Sequence, residues 1–316
     1  LPRRMAPPRH RLNKLEGKNM IEKPTLGFVG VGVMGERMCG NLAQKSGRPV
    51  FACDRNPAPL ERLSGYGVER AASLADIMAQ SDIIFLSLPG EHQVREVVLG
   101  DDGLLTHAKP DQIIVDCSTC PVRLAQEIAE AAAERGVRFL DAPVARGVKA
   151  AADGTLNFMV GGGQEDFETV LPYLKYMGGD ITLCGAPGAG QAVKLMNNMI
   201  VVQTVHAIAE ALKVAREYGA VNDRMLLETL ATGSADSFVL RNHGIKSMLP
   251  DLHPTDTFPV RYIIKDLGYA LELAKSCGVK MTGAEATMGL LQRADAMDFG
   301  ERYYTILIEA LETADT

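Results

Sequence analysis

The stretch Thr25-Leu-Gly-Phe-Val-Gly30-Val-Gly32-Val-Met-Gly35 reads as a short buried strand that runs straight into a glycine turn and then into a helix reaching about Lys45. Gly30 permits the tight turn, Gly32 lets the backbone approach a pyrophosphate, and Gly35 lets the helix pack closely on its strand. The helix N-terminus then offers its unpaired N–H groups to the phosphate charge. A glycine turn that binds nothing is the competing reading, and the placement between strand and helix favours the dinucleotide. A second strand over 49–53 ends in Asp54, close to the offset of about 20 residues at which a carboxylate takes the ribose hydroxyls of NAD. Arg55 follows at once, and a guanidinium attracts the 2′-phosphate that a carboxylate repels. NAD is favoured and NADP stays open. Further strands over 83–88, 113–116 and 138–141 alternate with helices, which predicts an α/β Rossmann domain, a doubly wound and mostly parallel sheet. Leu88 with Pro89, and Ser118 with Thr119, fall at strand ends that border the cofactor crevice.

A chain of 316 residues is long enough for two domains with separate cores. Its net charge of −6 leaves no electrostatic footprint for nucleic acid or an anionic membrane, and it has no Trp for base stacking. No apolar run approaches the length of about 20 residues that spans a bilayer. Six cysteines over this length do not form a disulfide framework, which makes a reducing cytoplasm the default. Cys117-Ser-Thr-Cys120 has the spacing of a redox pair. Inside a dinucleotide domain it reads instead as Ser118 and Thr119 capping the next helix and contacting the cofactor. The histidines show no metal-ligand spacing, and no metal is expected. Residues 1–19 stand apart: Arg3, Arg4, Arg9, Arg11, Lys14 and Lys18 face Glu16 alone, so they are expected to be a disordered leader. A native start at Met20 fits the same composition better than a transit peptide, which would be richer in Ser and free of Pro2, Pro7 and Pro8.

The loop Asp141-Ala-Pro-Val-Ala145-Arg146-Gly147 is small and polar at another strand end of the crevice. Arg146 there can clamp an oxyanion through paired N–H donors, or lie solvated. A helix near 165–174 and a strand over 180–184 close the first domain. From Gln191 on, the periodicity gives helices only: 191–218, 223–231, 260–277, 284–297 and 302–312. The first opens on Gly188-Ala-Gly-Gln-Ala-Val-Lys194-Leu-Met-Asn197-Asn198, and its apolar stripe through Leu195, Met199, Val202, Val205, Ile208 and Leu212 makes it mostly buried. Lys194 and Asn198 share a face at i and i+4, with Asn197 beside them. Desolvation would lower the lysine towards acid–base range, whereas a lysine near a helix end can also snorkel to water. Lys265 and Asp266 stand side by side on a later helix, where spacing alone suggests a solvated face.

Taken together, these motifs resemble the β-hydroxyacid dehydrogenases, the family of 3-hydroxyisobutyrate dehydrogenase, tartronate semialdehyde reductase and sulfolactaldehyde reductase. The match runs from Gly27-Phe-Val-Gly30-Val-Gly32-Val-Met-Gly35, through Asp141-Ala-Pro-Val with Gly154-Thr-Leu and Gly161-Gly162, to Gly188-x-Gly190-x-x-x-Lys194-x-x-Asn197-Asn198 and Lys265-Asp266-Leu267. The resemblance implies a Rossmann domain over 20–187 and an all-α domain over 188–316 led by a long interdomain helix, assembled as a homodimer or homotetramer. It implies Lys194 as the catalytic acid–base, with Ser118, Ala145, Arg146, Gly147, Asn197 and Asn198 towards a small acidic hydroxy acid or aldehyde. Gly30, Gly32, Val33, Met34, Gly35, Asp54, Arg55, Leu88, Pro89, Thr119 and Lys265 fall on the cofactor side. Most members carry Ser-Gly-Gly where this chain has Ala145-Arg146-Gly147. Sulfolactaldehyde reductases resemble it there, with an arginine at the middle position that meets a sulfonate. The expected activity is interconversion of a β-hydroxy acid and its semialdehyde, with a sulfonate-reducing enzyme as the alternative. A non-catalytic cofactor-sensing relative would typically have lost the lysine.

Overall fold

The structure, a computed structural model, describes residues 23–255 and 257–312; the expected leader, residues 1–19, lies outside the described residues. Four-residue runs with no polar alternation, apolar throughout but for Asp116 at the end of β5, form the strands β1 (Leu26–Val29), β4 (Ile83–Leu86) and β5 (Ile113–Asp116), each buried on both faces. That pattern belongs to parallel strands covered by helices on either side. Between and after them come β2 (Val50–Cys53), β3 (Val68–Arg70), β6 (Arg138–Asp141), β7 (Val144–Ala145), β8 (Leu156–Gly161) and β9 (Gly178–Gly185). The covering helices are α1 (Gly35–Ser46), α2 (Pro57–Ser64), α3 (Leu74–Gln80), α4 (Glu91–Leu99), α5 (Leu104–His107), α6 (Val122–Ala133), α7 (Gly147–Asp153) and α8 (Gln164–Leu174). Asn56 and Ser73 start α2 and α3 by accepting hydrogen bonds from Ala58 and Asp76 N–H.

The sheet order is β3-β2-β1-β4-β5-β6-β8-β7, with β9 paired to β8. Its first six strands are parallel in the doubly wound order, so the crevice for a ligand opens above β1 and β4, where the winding reverses. Beyond β6 the sheet changes direction: β8 runs antiparallel to β6 and β7 and parallel to β9. The mostly parallel sheet expected from the sequence is what forms. Two strands were not legible: β7 is only two residues, Val144–Ala145, within the stretch read as a loop. β3 has three residues, Val-Glu-Arg, with Val68 alone buried, so it carries no period to read.

The chain then leaves the sheet on α9 (Ala189–Tyr218), whose 30 residues extend about 45 Å at about 1.5 Å per residue. Gly219 ends it in the left-handed conformation at φ 73°. Of the predicted stripe, Leu195, Val202, Val205, Ile208 and Leu212 are buried as the spine of a second core, distinct from the two that flank the sheet, while Met199 packs half-buried against it. Around it pack α10 (Asp223–Leu230), α11 (Val260–Ser276) and α12 (Thr282–Ala294). Three segments differ from the expected helices, one being Asp295–Phe299, where the expected 284–297 helix turns π-helical and kinks at Met297 and Asp298. Leu240–Met248 is π-helical, and its buried Leu240, Gly244, Ser247 and Met248 mix apolar and polar types, which hides it from an apolar-period reading. The last helix is a 3-10 segment, Tyr304–Ala310, buried nearly all round and therefore without an amphipathic signal.

Candidate active site

The loop between β1 and α1 is shaped by its glycines. Gly30 sits at φ +86°, and a Cβ there would strike the Ser87 carbonyl and Leu88; a Cβ on Gly35 would strike the Gly30 carbonyl. Gly32 is different: its φ is ordinary, and a Cβ would meet nothing within 4 Å. Bare backbone therefore faces open space at the head of α1, the arrangement a pyrophosphate requires. Val33, beside it, is 55% exposed, while Met34 packs against the sheet core. Asp54, at the end of β2, accepts from Val31 N–H at 2.7 Å and Asn56 N–H at 2.7 Å, so it both shapes the loop and stands next to it. Arg55 turns outward and pairs with Glu96 at 3.0 Å. These residues fit a dinucleotide. Gly32→Ala is expected to fold like the parent and to bind NAD(P) about tenfold more weakly or worse, because the new methyl occupies the phosphate's approach; fluorescence titration with the reduced cofactor reads this.

The next two strand ends are tied together. Ser118 is buried, its Oγ accepts from Leu88 N–H at 2.9 Å, and its own N–H donates to Asp116 Oδ1 at 2.9 Å. The expected capping of α6 by Ser118 and Thr119 does not occur: α6 starts on extended Pro121 with no side-chain cap. The Ser118 hydroxyl is used between strands instead. Burial raises Asp116 to about 7, against the hydrogen bonds from Ser118 that favour its anion. Cys117 and Cys120 are free, buried thiols pushed well above the usual range by burial and by Asp116, far from the thiolate that redox chemistry needs. Among the described residues no group of three or more His, Cys, Asp or Glu is placed to hold a metal.

Against these loops lie α9 and α11. Lys194 is 8% exposed, and burial, reinforced by Lys265 and opposed by Asp266, brings it down from the ordinary lysine value to about 8. Among the described residues it closes no salt bridge, because its Asp266 neighbour is already held: Lys265 Nζ donates to Oδ1 at 2.8 Å and Asn198 Nδ2 to Oδ2 at 2.7 Å. Asn197 in turn donates to Asn198 Oδ1 at 3.0 Å. Burial would lower Lys265, but the Asp266 carboxylate outweighs it and holds that ammonium above its ordinary value. Lys265 Nζ also donates to the Thr119 carbonyl at 3.2 Å, and its chain packs under Gly90, next to exposed Pro89. Thus Lys194, Asn198, Lys265 and the β4 and β5 loops meet at the domain junction. Asp266 is the residue the spacing misjudged: it is 2% exposed, not solvated.

Arg146 does not join them. Ala145 ends β7 and Gly147 begins α7, and between them Arg146 takes φ 89°, a conformation that costs a non-glycine residue about 1–3 kcal/mol. Its guanidinium pairs with Asp180 at 2.5 Å and donates to the Thr155 carbonyl at 3.2 Å. That is the start of β8, whereas α9 approaches the sheet at Met159 near the other end. Of the two readings for Arg146, oxyanion clamp or solvated side chain, the structure shows the guanidinium in a partly exposed ion pair.

The chain from 25 to 185 matches the model of the NAD-binding domain of 6-phosphogluconate dehydrogenase. Residues 188–311 match the NAD-binding model of NADP-dependent 3-hydroxyisobutyrate dehydrogenase. With the glycine loop at the switch point, this defines an NAD(P)-dependent oxidoreductase acting on a CH–OH group. The 2-hydroxy-3-oxopropionate reductase of Escherichia coli is 33% identical over 91% of this chain and 97% of its own. The 3-hydroxyisobutyrate dehydrogenase of Pseudomonas aeruginosa is 35% identical over 79% of this chain and 85% of its own. The solved 3-hydroxyisobutyrate dehydrogenase of Mycobacterium tuberculosis, with L-serine, superposes with a TM-score of 0.83 at 30% identity, covering 92% of this chain and 100% of that one. The chain belongs to the β-hydroxyacid dehydrogenase family.

Proposed function

We propose that this chain interconverts a small β-hydroxy carboxylic acid of the 3-hydroxyisobutyrate type and its semialdehyde, with Lys194 as the general acid and base. The observation that carries the reading is Lys194 itself, a buried lysine brought to about 8 beside Asn198 and the Asp266–Lys265 pair. Gly30, Gly32, Gly35 and Asp54 would hold NAD(P), which when bound supplies the hydride acceptor or donor. In oxidation neutral Lys194 takes the proton of the substrate hydroxyl as the carbonyl forms; in reduction its ammonium returns that proton to the developing alkoxide and stabilises its charge. Asn198, held by Asp266, orients the substrate's acidic end. The reading divides the chain at 187/188, a cofactor domain before and a helical domain after, and includes a homodimer or homotetramer that light scattering reads directly. NAD is favoured because Asp54 stands at the end of β2 and Arg55 is engaged by Glu96.

The Asp180 pairing of Arg146 weighs for a carboxylate and against a sulfonate. Absorbance at the reduced-nicotinamide band, with NAD or NADP and a panel of 3-hydroxyisobutyrate, D-glycerate, 4-hydroxybutyrate, L-serine and a sulfonated hydroxy acid, is the test. Turnover of a carboxylate above the sulfonate is expected, with Arg146→Ala changing its KM by no more than about twofold. Turnover of the sulfonate alone, lost in Arg146→Ala, would overturn the carboxylate reading.

A further inference from the structure

Gln191 is fully buried one helical turn before Lys194, and its side-chain amide is used on the opposite domain. Nε2 donates to the Ser118 carbonyl at 2.8 Å, and Oε1 accepts from Cys120 N–H at 3.0 Å. Those two groups flank Thr119, so the amide grips that residue as the N–H and C=O of a parallel neighbouring strand would. The Thr119 carbonyl is taken in turn by Lys265 Nζ at 3.2 Å. The gripping end is equally fixed: Asp141 Oδ2 accepts from Gln191 N–H at 2.7 Å, and Oδ1 from Gly188 N–H at 2.7 Å, which anchors the first turn of α9 to the end of β6. Nothing else within that turn of α9 is bonded by its side chain to the β5–α6 loop among the described residues.

We propose that Gln191 is a positioning residue that locks the Lys194-bearing turn of α9 to the Thr119 loop, so that the proton-transferring amine and the cofactor side of the crevice keep a single spacing. The inference deepens the oxidoreductase reading and rests on it for its kinetic consequence; its geometric part does not. A side chain that merely fills space would affect stability alone. A positioning clamp affects turnover per folded molecule, because a displacement of about 1 Å between reacting groups can cost about 100-fold.

Two variants and two readouts test it. Gln191→Met keeps length and volume and removes both hydrogen bonds; Gln191→Glu keeps both in its neutral form and loses the donor as an anion. The first readout uses the protein without cofactor: alkylation of individual thiols by iodoacetamide, followed by mass spectrometry. Cys120 and Cys39 are both free and buried, one in the gripped loop and the other in α1, so Cys39 reports global opening. In Gln191→Met, Cys120 is expected to label about tenfold faster or more, with Cys39 unchanged. The second readout is kcat in the reduction direction, expected to fall by about 10- to 100-fold with a smaller change in substrate KM. For Gln191→Glu the ratio of its kcat to that of the parent is expected to rise as pH falls and the acid becomes neutral. Unchanged Cys120 labelling overturns the clamp. Equal acceleration at Cys120 and Cys39, or faster Cys120 labelling with unchanged kcat, reduces Gln191 to a structural tie and overturns the positioning role. A parent chain that turns over no hydroxy acid would sink the function above while the thiol readout still decides the clamp.

Discussion

Lys194→Ala is expected to keep its affinity for NAD(P) within about twofold and to lose about 10³- to 10⁴-fold in kcat, since general acid–base transfer is worth up to about that much and in the proposed mechanism one group serves both directions. The cofactor loop lies on β1 and α1, and Lys194 on α9, so the substitution does not touch the cradle. Stability moves the other way. Burial lowers Lys194 from 10.5 to about 8, and at about 1.36 kcal/mol per decade its charged form costs the fold on the order of 3 kcal/mol. The folded value lies below the unfolded one, so the cost is fully present below pH 8 and is relieved as pH rises from about 8 to 10.5. Lys194→Met, which fills the same space without charge, is therefore expected to melt a few degrees higher than the parent at pH 7 and to lose that advantage in alkaline buffer. The parent's own rates are expected to carry the same signature. In the proposed mechanism hydroxy acid oxidation needs the neutral amine and should climb with pH and level above about 8, while aldehyde reduction needs the ammonium and should fall through the same point. An alanine variant that turns over at the parent's rate would remove Lys194 from the chemistry.

The fold was legible where one physical rule acted alone. Gly30, Gly32 and Gly35 have local steric tasks, and the stripe of α9 has a helical period, so both could be read in one dimension. What escaped was set by partners distant in sequence. Asp266 looks like a surface charge beside Lys265 until Asn198, 68 residues earlier, supplies its second hydrogen bond. Gln191 is one more polar residue in a helix until the Ser118–Cys120 loop, more than 70 residues away, is brought to it. Arg146 makes the same point from the other side. Its place in a crevice loop suggested a ligand, and only the sheet's change of direction at β8 and β9 shows that Asp180 lies next to it. Buried polar groups are the least local feature of a sequence, because their cost is offset only by whatever the fold carries to them.

Asp266→Asn should disturb the site most after Lys194 itself. The carboxylate divides its two oxygens between Lys265 and Asn198, at 2.8 and 2.7 Å. An amide has one acceptor oxygen, so one of the two donors must face an NH₂ group and lose its partner. Breaking a buried ion pair on one side costs about 3–5 kcal/mol; Lys265 keeps 25% side-chain exposure and the Thr119 carbonyl, which puts the loss near the lower bound. The electrostatic consequence is more specific. Among the described residues Asp266 is the one group that holds Lys194 up against burial and against Lys265. Without its charge the Lys194 value falls further below 8, and the oxidation profile should shift to lower pH while reduction at pH 7 slows as the ammonium is depleted. KM for the hydroxy acid should rise about tenfold, because Asn198 loses a charge-assisted bond. Asp266→Glu retains the charge and serves as the comparison: it should lose stability through its extra methylene and keep the profile near the parent's. A pH–rate profile for Asp266→Asn that coincides with the parent's would mean that the carboxylate acts on the fold and not on Lys194. In that case the value of the lysine would be set by burial and Lys265 without the carboxylate.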